Sequence, residues 1–368
     1  MGVLDVVLTR FSASASFRRA VRLTDKGDRR AAFPLLARAA RAGIAEAEFR
    51  IGRCYLEGAG VPPSRGDGIR WLEKAATQGY VEAQALLATL CLNGLGPDQS
   101  GAGPGAAVLF GGVPTTAGPN YETALHWAKR AAEGGSAEGQ AVLGFILGSG
   151  PESMRDQAAS DEWYKRSAEA GCPQGQLGYA LVLARNANAP EVQAELVVHL
   201  RAAAEKGLAT ALFLYGMMHD RGVGVPQDHG AAARYYAQAA VKGHVSAQAR
   251  WGFAQLRGLG VEMNTTDGES WLRRAALAGD PEAAAVVGDI YAKGGALPPN
   301  YAEAAMWFRR AVDGRHKGAA RALAMLHLTG AGVPRDQGEA ARLFRVAAEA
   351  GDTTSHADLG NLGTVILR

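Results

Sequence analysis

The sequence predicts an all-α solenoid built from a 36-residue helix–turn–helix repeat, and three observations predict it. An Ala-Ala-x-x-Gly anchor ends at Gly43, Gly79, Gly135, Gly171, Gly207, Gly243, Gly279 and Gly351, with Arg315 in the remaining place. Consecutive anchors lie 36 residues apart, except that Gly79 and Gly135 are 56 apart, one period plus 20. Five of the six tryptophans (Trp71, Trp127, Trp163, Trp271 and Trp307) share one place in the unit, which Tyr235 takes in another copy. A period of this length is the mark of a layered array, and layers let a 368-residue chain bury apolar surface without one oversized core.

Each element follows from local chemistry. Residues 1–29 read as an N-terminal capping helix whose apolar face, Val3, Val6, Val7 and Phe11, covers the end of the stack. Arg10, Arg18, Arg19 and Arg22 leave open a peripheral, membrane-surface role for it. The solenoid then spans 30–368, starting with Ala31 to Ala40 as the second helix of a partial copy. In a full copy the first helix, A, has small or apolar residues at helical spacing, as in Ala47 to Glu57. Gly58-Ala59-Gly60-Val61-Pro62 stops it, as do Gly222 to Pro226 and Gly330 to Pro334, because Gly supplies left-handed geometry and Pro blocks continuation. Asp156, Asp228, Asn264, Asn300 and Asp336 share one register as N-caps of the second helix, B. Helix B follows, for example Tyr301 to Val312.

Nine residues after the anchor come Gly52, Gly144, Gly216, Gly252, Gly288 and Gly360, with Ala88, Ala180 and Ala324 elsewhere. These mark close helix approach, where a side chain larger than methyl would push helices apart. The tryptophan place is expected to fill the gap between layers, with Trp271 and Trp307 buried. One copy departs from the pattern: Asn186 and Asn188 replace both loop glycines, and His199 replaces Trp. Asn tolerates left-handed geometry, so the turn is expected to persist. The 20 extra residues fall at about 97–118, Gly/Pro-rich flanks around apolar Ala106 to Phe110. They read either as a tolerated loop or as a docking loop that orders on a partner. The chain ends after one helix-A equivalent, Ser355 to Val365.

Composition narrows function. The 39 basic and 36 acidic residues nearly balance, so the whole-chain charge gives no case for nucleic acid. The three cysteines, Cys54, Cys91 and Cys172, make no disulfide framework. No apolar stretch reaches the length of a membrane span, and the short run at Val3 to Leu8 carries Asp5 and follows no basic segment. The expectation is a cytoplasmic protein.

Leu214-Tyr215-Gly216, Gly222-Val223-Gly224-Val225-Pro226-Gln227-Asp228, Ala232, Tyr235 and Ala239-Ala240, set between Gly207 and Gly243, resemble the Sel-one-like repeat (SLR) family, a relative of tetratricopeptide repeats. The resemblance runs from about residue 30 to 360. It implies a right-handed superhelical scaffold for protein–protein contact, often in bacterial signalling, envelope or host-interaction settings. Some relatives carry Cys pairs that bridge the two helices of each unit, and no repeat here has such a pair.

No catalytic motif stands out. The eight histidines form no His-Glu-x-x-His, Cys and His lack zinc-ligand spacing, and the Gly-rich stops follow helices where nucleotide loops follow strands. No cofactor or metal is implied. His219 and His327 share a place with Tyr55 and Tyr291, which reads as a slot for a half-buried polar ring. One constellation remains. Fourteen residues after the anchor, four consecutive copies carry Arg185, Arg221, Arg257 and Lys293. One turn earlier lie Phe145, Leu181, Met217, Phe253 and Met325, interrupted by Asp289. Helix-dipole complementarity and core packing account for both rows. An acidic peptide or surface bound along them is the alternative reading. The sequence reading is therefore a non-catalytic interaction scaffold or adaptor whose partner is another protein or peptide. The rivals are a regulatory subunit of an envelope-polysaccharide or glycosyl-transfer system and a repeat-family hydrolase.

Overall fold

A computed structural model of the chain describes residues 3–94, 118–185, 189–294, 298–349 and 351–355. Among these residues all regular structure is helical. The chain packs as two compact units, Met1–Lys206 and Gly207–Arg368.

The first unit opens with α1 (Val3–Asp25) and α2 (Arg29–Arg41). Four A/B pairs follow: α3 (Ala45–Glu57) with α4 (Arg65–Thr77), α5 (Val81–Leu92) with α6 (Tyr121–Glu133), α7 (Ala137–Ser149) with α8 (Gln157–Glu169), and α9 (Pro173–Ala184) with α10 (Pro190–Glu205). The second unit holds α11 (Ala209–Arg221) with α12 (His229–Val241), α13 (Val245–Arg257) with α14 (Thr265–Leu277), α15 (Pro281–Lys293) with α16 (Tyr301–Asp313), and α17 (Lys317–Thr329) with α18 (Gln337–Glu349).

Backbone chemistry explains the punctuation. The anchor residue reverses the chain between B and the next A with positive φ, from Gly171 at 77° to Gly279 at 101°. Arg315 adopts φ 63° in the same place, the one non-glycine among the described residues to do so. The A helices stop at left-handed Gly58, Gly222, Gly258 and Gly330. The expected N-caps all form: Asp156, Asp228, Asn264, Asn300 and Asp336 each accept from the backbone N–H three residues on, at 2.9–3.1 Å. Ser64 and Asn120 do the same.

A further bond closes most A–B turns. The N–H of the helix-B cap donates to the carbonyl of the polar-ring slot on helix A: Ser64 to Tyr55, Asp228 to His219, Asn264 to Gln255, Asn300 to Tyr291 and Asp336 to His327, all at 2.9 Å. Across the expansion, Asn120 donates to Cys91 at 3.0 Å. The chain thus leaves and re-enters the repeat through the bond that every neighbouring turn uses. Nearly all of the 97–118 insertion lies outside the described residues, as do Asn186, Asn188, most of Ser355 to Val365 and the side chains of Val3, Val6, Val7 and Phe11.

The close approaches are tighter than the sequence suggests. A methyl on Gly52 would lie 2.8 Å from Leu72 Cγ, and one on Gly288 would lie 2.7 Å from the Phe308 ring, so at these places even alanine requires a shift. The partners of the glycines also revise the expected role of tryptophan. Trp307 is buried, at 2% exposure, but Trp71, Trp127, Trp163 and Trp271 are half-buried. The residue immediately after the tryptophan place fills the core: Leu72, Tyr164, Leu272, Phe308 and, after Leu343, Phe344. Successive helical residues differ by about 100° in direction, and the deeper of the two was not the larger one. The half-exposed rings instead lie beside cations three residues on, with Lys74, Arg130, Arg166 and Arg274 at 4.2–5.5 Å from the centroids.

Candidate functional site

The last turn of helix A carries the constellation singled out from the sequence. In the second unit Arg221, Arg257 and Lys293 are the final residues of α11, α13 and α15, one per layer, and all three are exposed. Among the described residues none of them makes an ion pair. Arg257 lies 5.9 Å from the Phe253 ring centroid, so its charge and an apolar surface are presented together. Met217 and Phe253, one turn earlier, are half-buried, and Phe253 packs on the core of this unit.

Two of the sequence-selected residues stand differently. Arg185 belongs to the first unit and forms the C-cap of α9, where its guanidinium donates to Asp161 at 2.6 Å. It is a paired cation. Phe145 is 4% exposed and packs with Leu92, Ala128 and Ile146 in the core of the first unit. It presents no surface to a partner. Core packing therefore accounts for Phe145, while Leu181 and Met325 are exposed.

The polar-ring slot holds its rings as expected: Tyr55, His219 and Tyr291 are half-buried and His327 is buried. The Tyr291 phenol accepts from Arg273 at 2.9 Å, and the His327 ring lies 3.2 Å from an Arg309 guanidinium nitrogen. Burial, with Glu269 and Glu303 nearby, raises Tyr291 above the usual phenol range, while Arg273 opposes the shift. His219 stacks on Tyr235 with centroids 5.6 Å apart. These contacts are those of turn scaffolding.

Sequence reasoning missed three features. His244 and His316 cap A helices, accepting from Ala247 and Ala319 N–H at 3.2 and 3.1 Å through Nδ1. Burial lowers His244 below the ordinary histidine range, which keeps that nitrogen an acceptor. Asp220 binds His229 at 2.9 Å and the Tyr236 phenol at 3.4 Å. This cluster lines a void of about 60 Å³ with no Ser, Cys or Thr beside it, too small to seat a substrate. The third feature is the sixth tryptophan, Trp251, which lies on helix A. Its departure from the shared tryptophan register was the available signal.

In the first unit the A helices line a groove of about 620 Å³, with Phe49, Leu56 and Leu86 for apolar surface and Glu57, Glu82 and Glu138 as acids. Among the described residues no group of three or more His, Cys, Asp or Glu could hold a metal ion. No described helix is long and apolar enough to cross a membrane.

The chain is similar to known repeat proteins. A crystal structure of a protective antigen of uropathogenic Escherichia coli with an SLR fold matches at 25% identity and a TM-score of 0.64, over 90% of this chain and 67% of the other. A Sel1 repeat protein from Oxalobacter formigenes matches at 29% identity and a TM-score of 0.56, over 89% of each chain. Comparison with curated proteins gives no match. The Sel1 repeat profile matches residues 45–80, 81–102, 105–136, 137–172, 209–244, 245–280, 281–316 and 318–352. It passes over the copy from 173 to 208, where Asn186, Asn188 and His199 break the pattern, although α9 and α10 form there. Arrays of this kind are generally protein-interaction scaffolds, of the tetratricopeptide-like class. With the repeat matched over most of its length, the chain belongs to the Sel1 repeat family.

Proposed function

We propose that this chain is a non-catalytic interaction scaffold whose second unit binds an acidic segment of a partner protein along Arg221, Arg257 and Lys293. The observation that carries the reading is the repetition of an exposed cation without an ion pair at one register in three consecutive layers. A helix C-terminus favours a cation by only about 0.3–1 kcal/mol, and Thr329 holds this place in the next copy. The dipole therefore permits the row without requiring it. Met217 and Phe253 lie one turn below and supply apolar contact, so an amphipathic acidic helix or strand fits the face. The guanidinium of Arg257 lies 5.9 Å from the Phe253 ring centroid, so a partner would meet charge and apolar surface together.

The test is affinity capture from an extract of the native cell, comparing the wild-type chain with Arg221→Glu plus Arg257→Glu. The reading expects an acidic protein retained by the wild type at low salt and lost with the double variant. Equal recovery by both chains would place the interface elsewhere.

A further inference from the structure

Trp251 occupies a register of helix A that in most other copies belongs to the core. The same place holds Ile51, Leu87, Leu143, Val287 and Leu323, all buried, and Tyr215, also buried, while Tyr179 is half-buried. Trp251 is only half-buried. It borders a hollow of about 530 Å³ at the turn between α13 and α14, shared with Gln255, Val261, Glu262 and Met263. Met263 is 65% exposed although apolar.

Gln255 lies one helical turn after Trp251, in the slot that other copies fill with Tyr or His. Its carbonyl takes the turn-closing bond from Asn264 N–H at 2.9 Å, so its backbone is fixed. The residue is 8% exposed, and its side-chain Oε1 is buried with no hydrogen-bond partner. Buried amide oxygens are normally satisfied. The rings at the equivalent slots of α15 and α17 are satisfied by Arg273 and Arg309, while His219 Nδ1 in α11 is, like Gln255 Oε1, without a hydrogen-bond partner. Glu262 is exposed and makes no ion pair among the described residues. The hollow thus gathers an aromatic face, an unsatisfied acceptor, a carboxylate and apolar side chains.

That set is complementary to a cation on an alkyl stem. An indole face attracts a guanidinium. A carboxylate and an amide oxygen accept from its planar fork of N–H donors, which an ammonium presents less well. Val261 and Met263 suit the methylenes behind it. We propose that this hollow binds an arginine side chain of a partner protein, with the guanidinium against Trp251 and its N–H groups donating to Glu262 and, once the Gln255 side chain turns towards the hollow, to Gln255 Oε1. The site is independent of the basic row. None of its lining residues belongs to that row, although Arg257 follows Gln255 by two residues on α13, and it recognises the opposite charge.

The full ¹⁵N-labelled chain tests it. Trp251→Phe assigns the Trp251 indole resonance, and N-acetyl-L-arginine methylamide is titrated against it at low salt. Free L-arginine, the neutral citrulline analogue and N-acetyl-phenylalanine methylamide form parallel arms. The expected result is a saturable shift with the arginine amide at about millimolar concentration. Free arginine should bind no more tightly, and citrulline about tenfold more weakly. Glu262→Gln, an exposed change, should weaken the arginine amide about tenfold. Gln255→Leu should weaken it too, with an unchanged helical spectrum. The proposal is overturned by no saturable shift at about 100 mM ligand, by citrulline or phenylalanine binding as well as arginine, or by indifference to Glu262→Gln. Tighter binding of free arginine would mark a metabolite site and overturn the assignment to a protein side chain.

Discussion

The two units use one repeat and distribute their A-helix charges differently, although Arg185 closes one A helix of the first unit and Glu282 opens one of the second. In the first unit the opening turn carries Glu46, Glu82 and Glu138 in three successive copies, while the closing turn carries Glu57, Asn93 and Ser149. In the second the opening turn carries Thr210, Ser246 and Glu282, and the closing turn carries Arg221, Arg257 and Lys293. The opening-turn acids and the closing-turn cations both suit the helix dipole, each worth about 0.3–1 kcal/mol, whereas Glu57 opposes it. Folding energetics therefore do not choose between them. The choice shows on the surface: acids with Phe49, Leu56 and Leu86 line a groove in the first unit, and exposed cations beside Met217 and Phe253 mark the second.

The largest effects should come from the shared core, where the units are alike. Trp307→Ala removes a fully buried ring and should cost about 3–5 kcal/mol in chemical denaturation. Trp271→Ala, at the same register but half-buried, should cost only about 1–2 kcal/mol. Equal losses would mean that Trp271 is as deeply packed as Trp307 and that the residue after Trp does not set the core.

Acid should distinguish the units next. The second unit caps α13 with His244, whereas the first caps α7 with Ser136, which does not titrate. Burial lowers His244 in the folded state. A lowered folded value means that the unfolded chain takes up the proton more readily. The contribution of the cap is therefore complete above the unfolded value of about 6.5 and is lost as pH falls through the lowered folded value. Melting followed from neutral to about pH 5 should show a loss of roughly 0.5–2 kcal/mol. His244→Asn keeps a capping acceptor without a titrating ring and should remove that sensitivity. An unchanged acid response in the variant would show that another group carries it.

The smallest effect belongs to Arg185, whose guanidinium is bound to Asp161 on the surface of the first unit. Arg185→Ala should cost about 0.2–1 kcal/mol, as exposed pairs do, and should leave partner capture unchanged. Loss of capture would bring Arg185 back into the binding row.

The fold was legible because glycine geometry repeats. Every anchor that reads as Gly needs positive φ, and the one copy without Gly still turns, with Arg315 at φ 63°. Cap residues were legible for a similar reason, since Asp or Asn three residues before a free N–H has one plain use. The core was half legible. A helical pattern locates a face, but Trp307 and Phe308 both point near it, and only packing shows that Phe308 and its equivalents meet the glycines. The surface was less legible still. Arg185 and Asp161 are 24 residues apart in sequence, so their pairing depends on how layers stack. Phe145 looked like its neighbours at that register until its burial separated it from Leu181. Gln255 attracted no notice as a polar residue in a polar slot. Its unsatisfied oxygen exists only because the surrounding turn buries it.

The central claim is that the second unit engages an acidic partner through its cation row. Its most direct test is the dissociation constant of the captured partner as a function of salt, for wild type and for Arg221→Glu plus Arg257→Glu. Screening shortens from about 10 Å at 0.1 M to about 3 Å at 1 M. The account predicts that wild-type affinity falls steeply with salt, and that the double variant binds weakly with a flat salt response while its melting temperature stays put. Wild-type binding that is insensitive to salt and survives the double reversal would contradict it.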